Sequence, residues 1–285
     1  MSDKKYLLNT KNQFHNKVVI VTGSTQGSGA ETAKLFAYRG AKGITICGRS
    51  EDQGNEIKKE IETIGSECLY VKADLFEVDD CRNIVSLTDK TFGKIDSLVN
   101  VAGFTERGTI LSTTIDNYDK NFNINTRAPF ILMQDSIKIM IREKTKGTIV
   151  NILSMAMHSG MSFISAYSGS KAALATITKN VANAVSGHHI RVNALNIGWT
   201  DTPGEDKIQK KFHEGGEDWL QKAEAKAPFK RLTKPIDVAR AAAYFCSDES
   251  GLVTGSIIDY DQSVLGWHSY SAYDTNILDD SLLGE

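Results

Sequence analysis

Tyr167 and Lys171 stand four residues apart, and the run after them, AALATITKNVANAV, has the composition and apolar period of a helix, so both side chains share one helix face. An ammonium then sits beside a phenol. A free tyrosine titrates near ~10, and a neighbouring cation favours the phenolate and draws that value toward neutrality, where a proton donor or acceptor works best. The lysine is the activator in such a pair, not the nucleophile. Ser154 lies 13 residues before Tyr167, at the end of the β-like run GTIVNIL, where the carboxyl end of a strand opens into a crevice. Its hydroxyl could hold the substrate oxygen that Tyr167 protonates. YxxxK alone is more often a solvated helix pair; the serine at a strand end and a glycine-rich turn upstream give it chemical meaning.

That turn follows the first element able to position it. Lys17 to Thr22 (KVVIVT) is a β-branched run suited to a buried parallel strand, and it breaks into GSTQGSG before the helical pattern AETAKLFAYRG. Strand, glycine turn and helix together turn backbone N–H groups and the positive helix end toward a phosphate. Gly23 permits the turn, Gly27 lets the backbone approach a diphosphate, and Gly29 allows close helix packing. The second strand, GITIC, ends in Gly48, Arg49 and Ser50. A dinucleotide fold selects its cofactor at this place: an acid binds the ribose 2′-hydroxyl, whereas an arginine pairs with a 2′-phosphate. Arg49 with no acid at that strand end favours NADP(H), with NAD(H) as the alternative; Glu51 and Asp52 follow closely enough to blunt the preference.

Strands and helices then alternate: the helix QGNEIKKEIETIG, the strand ECLYVKA with Asp74, a helix from about Val78 to Phe92, and the strand DSLVN. This order implies right-handed crossovers and one parallel sheet with helices on both faces, its strand carboxyl ends gathered along one edge. Asp74 and Asn100 to Gly103 fall at such ends, on the adenine side of the crevice. Simple turn chemistry accounts for each of them nearly as well. From Ile115 to about Arg142 a long helical region is expected to kink or divide at Pro129. Asn121, Asn123 and Asn125 are unusual inside a helix, and an asparagine carbonyl freed from backbone duty can hold a water beside the lysine. The residues alone do not choose among the three.

After the Tyr167 helix come the strand IRVNALNI and an insertion of about 199–230 with two short helices, placed to close over the crevice with Trp199, Phe212 and Trp219 as apolar wall. Packing of the insertion onto the core is the competing explanation for these aromatics. The helix DVARAAAYFCS and the strand SIIDY follow, then a polar tail. Trp267, Tyr270 and Tyr273 in that tail hint at docking onto a neighbouring subunit.

Composition sets the class. With 33 basic and 35 acidic residues the net charge is −2, so no nucleic-acid or membrane surface is indicated. The start is polar and lacks the apolar core of a signal peptide, which points to the cytoplasm. Cys47, Cys68, Cys81 and Cys246 show no CxxC spacing and read as buried free thiols; His158, His188, His189 and His213 have no partner at metal-ligand spacing.

With these motifs in order, the chain resembles the short-chain dehydrogenase/reductase family over roughly Asn16 to Ser263. TGSTQGSG at Thr22 to Gly29 resembles the family's TGxxxGxG turn, VAG at Val101 to Gly103 its NNAG segment, Ser154 with YSGSK its serine and YxxxK, and NIGWTDT from Asn196 to Thr202 its NPGxxxT. Ser28, Val101 and Ile197 depart from the pattern, as does DYDQS where the family commonly has DGG. The resemblance implies a single-domain α/β Rossmann fold over 16–263, a doubly wound parallel sheet of about seven strands, with 1–15 as a polar extension and 264–285 as a tail. It selects Asn125, in INTRAPF, to complete an Asn125, Ser154, Tyr167, Lys171 tetrad. It implies cofactor contacts from Gly23, Ser24, Thr25, Gln26, Gly27, Ser28, Gly29, Arg49, Asp74, Leu75, Asn100, Ala102, Gly103, Tyr167, Lys171, Ile197, Gly198, Thr200 and Thr202. Substrate contacts are expected from Ser154, Met155, His158 and Trp199, with no metal.

The activity so implied is hydride transfer between NADP(H) or NAD(H) and a carbon bearing hydroxyl or carbonyl. Trp199, His158, Thr105, Glu106 and Asp201 suggest a sugar, polyol or cyclic alcohol as the small-molecule substrate. A 3-oxoacyl-thioester reductase is an alternative, with Arg127, Lys230 and Arg231 as the basic patch for an acyl carrier. A non-catalytic NADP(H) sensor is a third, which the complete tetrad argues against. The family also implies a homo-oligomer, a tetramer or dimer.

Overall fold

A computed structural model describes residues 10–213 and 216–264. Seven strands form one parallel sheet: β1 (Val18–Val21), β2 (Gly43–Gly48), β3 (Glu67–Lys72), β4 (Ser97–Asn100), β5 (Thr148–Ser154), β6 (Arg191–Ile197) and β7 (Ile257–Tyr260), in the order β3-β2-β1-β4-β5-β6-β7. Chain order reverses between β1 and β4, so a crevice opens at their carboxyl ends. Because neighbouring side chains on a strand point to opposite faces, Ile20 joins one core while Val19 and Val21 join the other. The first core is covered by α3 (Val78–Phe92), α5 (Ala128–Arg142) and α6 (Ser165–Val185); the second by α1 (Gly27–Tyr38), α2 (Glu51–Ile64) and α9 (Pro235–Cys246). All four cysteines are free and buried in these layers, and burial pushes the Cys47 and Cys68 thiols up to about 12.

The long helical region divides as expected, by a different device. α4 (Ile115–Phe122) passes into a π-helical turn, Asn123–Arg127, and Pro129 stands just inside α5, where its missing N–H costs little. The insertion folds as α7 (Pro203–Phe212) and α8 (Trp219–Lys226). It has a small core of its own around Trp219, Ala223, Ala227 and Leu232.

One expected boundary needs correction. Phe14 was expected in the polar extension, yet it is buried, packs edge-on against Phe36 with ring centres 4.5 Å apart, and its backbone N–H donates to the Arg39 carbonyl. The fold therefore begins before residue 16, since one aromatic in a polar stretch closes the base of α1. The tail aromatics Trp267, Tyr270 and Tyr273 lie outside the described residues. Among those described, no helix is long and apolar enough to cross a membrane.

Candidate active site

The glycine turn is a cradle in which added atoms collide. Gly23 has a φ of +61, and a methyl there would meet the Ala102 Cα at 2.8 Å; one on Gly29 would meet the Gly23 carbonyl oxygen at 2.3 Å. Both contacts are with backbone, which cannot step aside. Gln26 precedes α1 without a side-chain cap, so the first N–H groups of the helix remain available to an anion. Thr202 closes the other side, 3.6 Å from where a Gly27 Cβ would stand. The residues present thus fit a dinucleotide: a close glycine backbone, an open helix end and a facing threonine.

Not every expected cofactor residue offers its side chain. The buried Ser24 hydroxyl donates to the Val21 carbonyl at 2.6 Å and accepts from the Cys47 N–H at 3.0 Å, stitching β1 to β2. Asn100 is also buried, its amide donating to Asn151 Oδ1 at 2.8 Å between β4 and β5. Both were expected at the cofactor, but strand-end side chains pointing into the sheet are recruited to satisfy it, which leaves their backbones for a ligand. Asp74 Oδ1 accepts from the Phe76 N–H at 3.0 Å as a turn residue, with Leu75 against the first core. Thr25 packs on Gly48, Gln26 is exposed and Ser28 is half-buried. Arg49 is exposed at the end of β2 and has no hydrogen-bond or ion-pair partner among the described residues. Ile197 ends β6 and Gly198 follows it, Asp261 packs directly on Gly198, and the Thr200 hydroxyl donates to the Gly198 carbonyl.

Asn125, Ser154, Tyr167 and Lys171, the expected tetrad, lie together at this crevice. Ser154 ends β5, its hydroxyl accepting from the Ala156 N–H at 3.2 Å and hydrogen-bonding to the Tyr167 phenol. The fall toward neutrality expected for Tyr167 is not what this site gives on its own: burial raises its pKa, Ser154 and Arg107 pull it down, and Glu205 pushes it up. Lys171 is buried, its Nζ donating to the Ile152 carbonyl at 2.9 Å, and burial lowers its pKa to about 8. A methyl on Gly103 would stand 3.6 Å from that Nζ and 3.8 Å from Asn125 Oδ1, so the loop after β4 runs between the two.

Asn125 settles into an unexpected task. Fully buried, its amide clamps Phe104 at both ends: Oδ1 accepts from the Phe104 N–H and Nδ2 donates to the Phe104 carbonyl, each at 2.8 Å. Nδ2 also donates to Ser170 Oγ at 3.0 Å. Of the three candidate asparagines, this one ties the β4 loop to α6. Asn121 is buried nearby with its amide on Asn117.

Among the expected substrate contacts, Met155 is half-buried beside Ser154, whereas His158 turns away to Asp259 on β7, 3.1 Å from Oδ1. A carboxylate one hundred and one positions along the chain captures the ring, which neighbouring residues could not reveal. Trp199 stacks on Trp219, centres 6.0 Å apart, and its indole donates to Glu205 Oε1 at 2.7 Å. Packing within the insertion, the competing explanation for these aromatics, accounts for the contacts of Trp199 and Trp219.

Residues 23–264 match the family model described as enoyl-(acyl carrier protein) reductase. An uncharacterized oxidoreductase of Thermotoga maritima is 37% identical over 248 residues, spanning 87% of this chain and 97% of that protein. The chain belongs to the short-chain dehydrogenase/reductase family. A 3-oxoacyl-[acyl-carrier-protein] reductase FabG of the same organism is 31% identical over 250 residues, 87% of this chain and 98% of that protein. Among solved structures, L-sorbose reductase from Gluconobacter frateurii, complexed with NADPH and L-sorbose, superposes with a TM-score of 0.81 at 26% identity, covering 88% of this chain and 97% of that one. A short-chain type dehydrogenase/reductase from Mycobacterium marinum gives 0.79 at 26% identity, covering 88% and 96%.

As a short-chain dehydrogenase/reductase, this chain carries residues at its site that sequence reasoning passed over. Arg107 and Glu205 both act electrostatically on Tyr167, and Gln262 latches the insertion by accepting from the Phe229 N–H at 2.9 Å and donating to the Arg231 carbonyl at 2.9 Å. The unusual DYDQS is thus a pair of contacts, Asp261 on Gly198 and Gln262 on the insertion. The hydroxyl of Thr22, the first residue of the glycine motif, accepts from the Val101 and Ala102 N–H groups at 3.0 and 3.2 Å and locks the glycine turn to the β4 loop.

Proposed function

We propose that this NAD(P)-dependent oxidoreductase interconverts a secondary alcohol and its carbonyl on a sugar, polyol or cyclic alcohol, using NADP(H) in preference to NAD(H). The observation that carries the reading is the convergence of Ser154, Tyr167 and Lys171 beside a glycine cradle with an open helix end. When bound, the nicotinamide supplies or accepts the hydride. In reduction Tyr167 gives its phenolic proton to the carbonyl oxygen, and in oxidation the phenolate takes that proton back. Ser154 holds the same oxygen from β5. The Lys171 ammonium, with one N–H spent on Ile152, stabilises the phenolate and has further donors for a ribose hydroxyl. Asn125 acts through the Phe104 clamp, fixing the loop that borders the reacting carbon.

Arg49 supports the cofactor preference: it is exposed at the end of β2 and unpaired among the described residues, as a partner for a 2′-phosphate must be. The NADPH in the L-sorbose reductase crystal agrees with it, as the L-sorbose does with a polyhydroxylated substrate. The buried thiols suit the cytoplasm, and the exposed Ile115, Tyr118 and Phe130 on α4 and α5 suit self-association.

The 31% identity to a 3-oxoacyl reductase favours a thioester substrate as the second reading. Its basic patch is otherwise engaged: Arg231 pairs with Asp237 at 2.7 Å, Arg127 donates to the Phe76 carbonyl, and Lys230 donates to the Ala225 carbonyl at 3.0 Å. Cofactor turnover with NADP+ and NAD+ across sugars, polyols and hydroxy esters, and with NADPH on a 3-oxoacyl thioester, separates the readings. Tyr167→Phe serves as the blank. Tyr167-dependent oxidation of a polyol or cyclic alcohol is expected; turnover of the thioester alone would overturn the first reading.

A further inference from the structure

Arg107 lies on the loop between β4 and α4 that Asn125 clamps at Phe104, and the loop is pinned again where the Gly108 N–H donates to the Phe163 carbonyl at 2.9 Å, four residues before Tyr167. Its half-buried guanidinium lies over the Phe163 ring, 5.7 Å from the centre. Two of its N–H donors are spent on neutral acceptors, Nε on His213 Nε2 at 3.1 Å and Nη1 on Thr105 Oγ1 at 2.8 Å. No carboxylate pairs with it among the described residues. Glu205 acts on it at longer range, but Glu205 Oε1 already accepts from Trp199 and from Gln209 at 2.6 Å. Lys211, two residues before His213, is by contrast neutralised by Glu106 at 2.7 Å.

A guanidinium taken partly out of water and left with neutral partners is costly unless an anion completes it, and its planar fork of free N–H groups suits an oxyanion bound bidentately. We propose that Arg107 is a specificity residue that binds an oxyanion of the substrate, a carboxylate or a phosphate, so that the alcohol oxidised at Tyr167 belongs to a hydroxy acid or an alcohol phosphate. The Thr105 hydroxyl, whose oxygen accepts from Arg107, has its proton free for the same anion. His213 accepts at Nε2 and is therefore neutral in this arrangement, in line with its lowered pKa, for which burial and then the Arg107 charge are responsible. This rests on the oxidoreductase reading above and narrows its substrate class.

The test takes hydroxy acids and alcohol phosphates, each matched with the neutral alcohol of the same carbon skeleton, gluconate, sorbitol 6-phosphate and sorbitol among them. Binding to the NADP+ complex is read as a shift in melting temperature, and turnover as kcat/KM. An anion is expected to outdo its neutral match, and Arg107→Gln to cut that ratio by about 10- to 100-fold, chiefly through KM, as for the loss of charge-assisted hydrogen bonds. Arg107→Lys keeps the charge and is expected to retain part of the preference, which covers the case of a poorly folded Gln variant. Preference for carboxylate or for phosphate names the source of the oxyanion. Neutral members outdoing both anions, or an unchanged ratio in Arg107→Gln, would overturn the proposal. Absence of Tyr167-dependent turnover with every compound would instead count against the parent reading, since the melting shift reports Arg107 independently.

Discussion

The Lys171 ammonium lies 5.9 Å from the centre of the Tyr167 ring, buried, with the Ile152 carbonyl as its protein acceptor at 2.9 Å. A cation in that position is stored stress that a ribose and a phenolate would relieve, so the site is less stable empty than filled.

Stability should report this directly. Burial depresses the Lys171 pKa to about 8 from 10.5 in the unfolded chain. Between those values the unfolded state binds more protons, so stability rises with pH across the window, and the full cost, about 3 kcal/mol, applies below it. Urea unfolding of the cofactor-free protein should show wild type gaining on Lys171→Met between pH 8 and pH 10. A constant difference across that window would mean that the lysine is not desolvated.

Tyr167 sits between opposing charges, which gives two variants of opposite sign. Glu205 raises its pKa and Arg107 lowers it. In the oxidation direction the phenolate is the base, so rate climbs as pH rises through the tyrosine pKa. Glu205→Gln should move that limb of the pH–kcat/KM profile to lower pH, and Arg107→Gln to higher pH. Movement in the same direction would show packing rather than charge at work.

Gly29→Ala must push the Gly23 carbonyl aside from 2.3 Å. We expect a loss of about 1–3 kcal/mol in stability together with at least about tenfold weaker NADPH binding in a fluorescence titration. Gly160 has nothing within 4 Å of an added methyl, and Gly160→Ala should leave both within error.

Arg49→Gln removes the exposed cation at the end of β2. The ratio of NADP+ to NAD+ kcat/KM should fall by about 10- to 100-fold, the worth of charge-assisted hydrogen bonds to a 2′-phosphate. An unchanged ratio would assign the choice of cofactor to other residues.

What was legible in the chain was whatever is written locally. The β-branched runs, the helix from Val78 to Phe92 and the glycine turn each announce themselves within a dozen residues, and the structure sets them in one seven-stranded sheet. Asn125 required the family resemblance, because Asn121 and Asn123 have the same composition and only the fold decides which faces Phe104. Arg107, Glu205 and the Asp259 partner of His158 were not legible. Their meaning comes from partners distant along the chain, His213 lying 106 positions from Arg107 and Asp259 101 from His158, and an isolated charge reads from sequence as solvated surface. Ser24 and Asn100 show the converse: residues inside recognised motifs whose side chains serve the sheet.

The central claim is that Tyr167 passes a proton while a hydride moves to or from the substrate carbon. Reduction of a ketone with NADPH deuterated at the transferable position, followed by mass spectrometry of the alcohol, tests it most directly. One deuterium on the carbinol carbon is expected with wild type, and at least about a hundredfold slower labelling with Tyr167→Phe. An unlabelled alcohol, or equal rates in the two proteins, would contradict it.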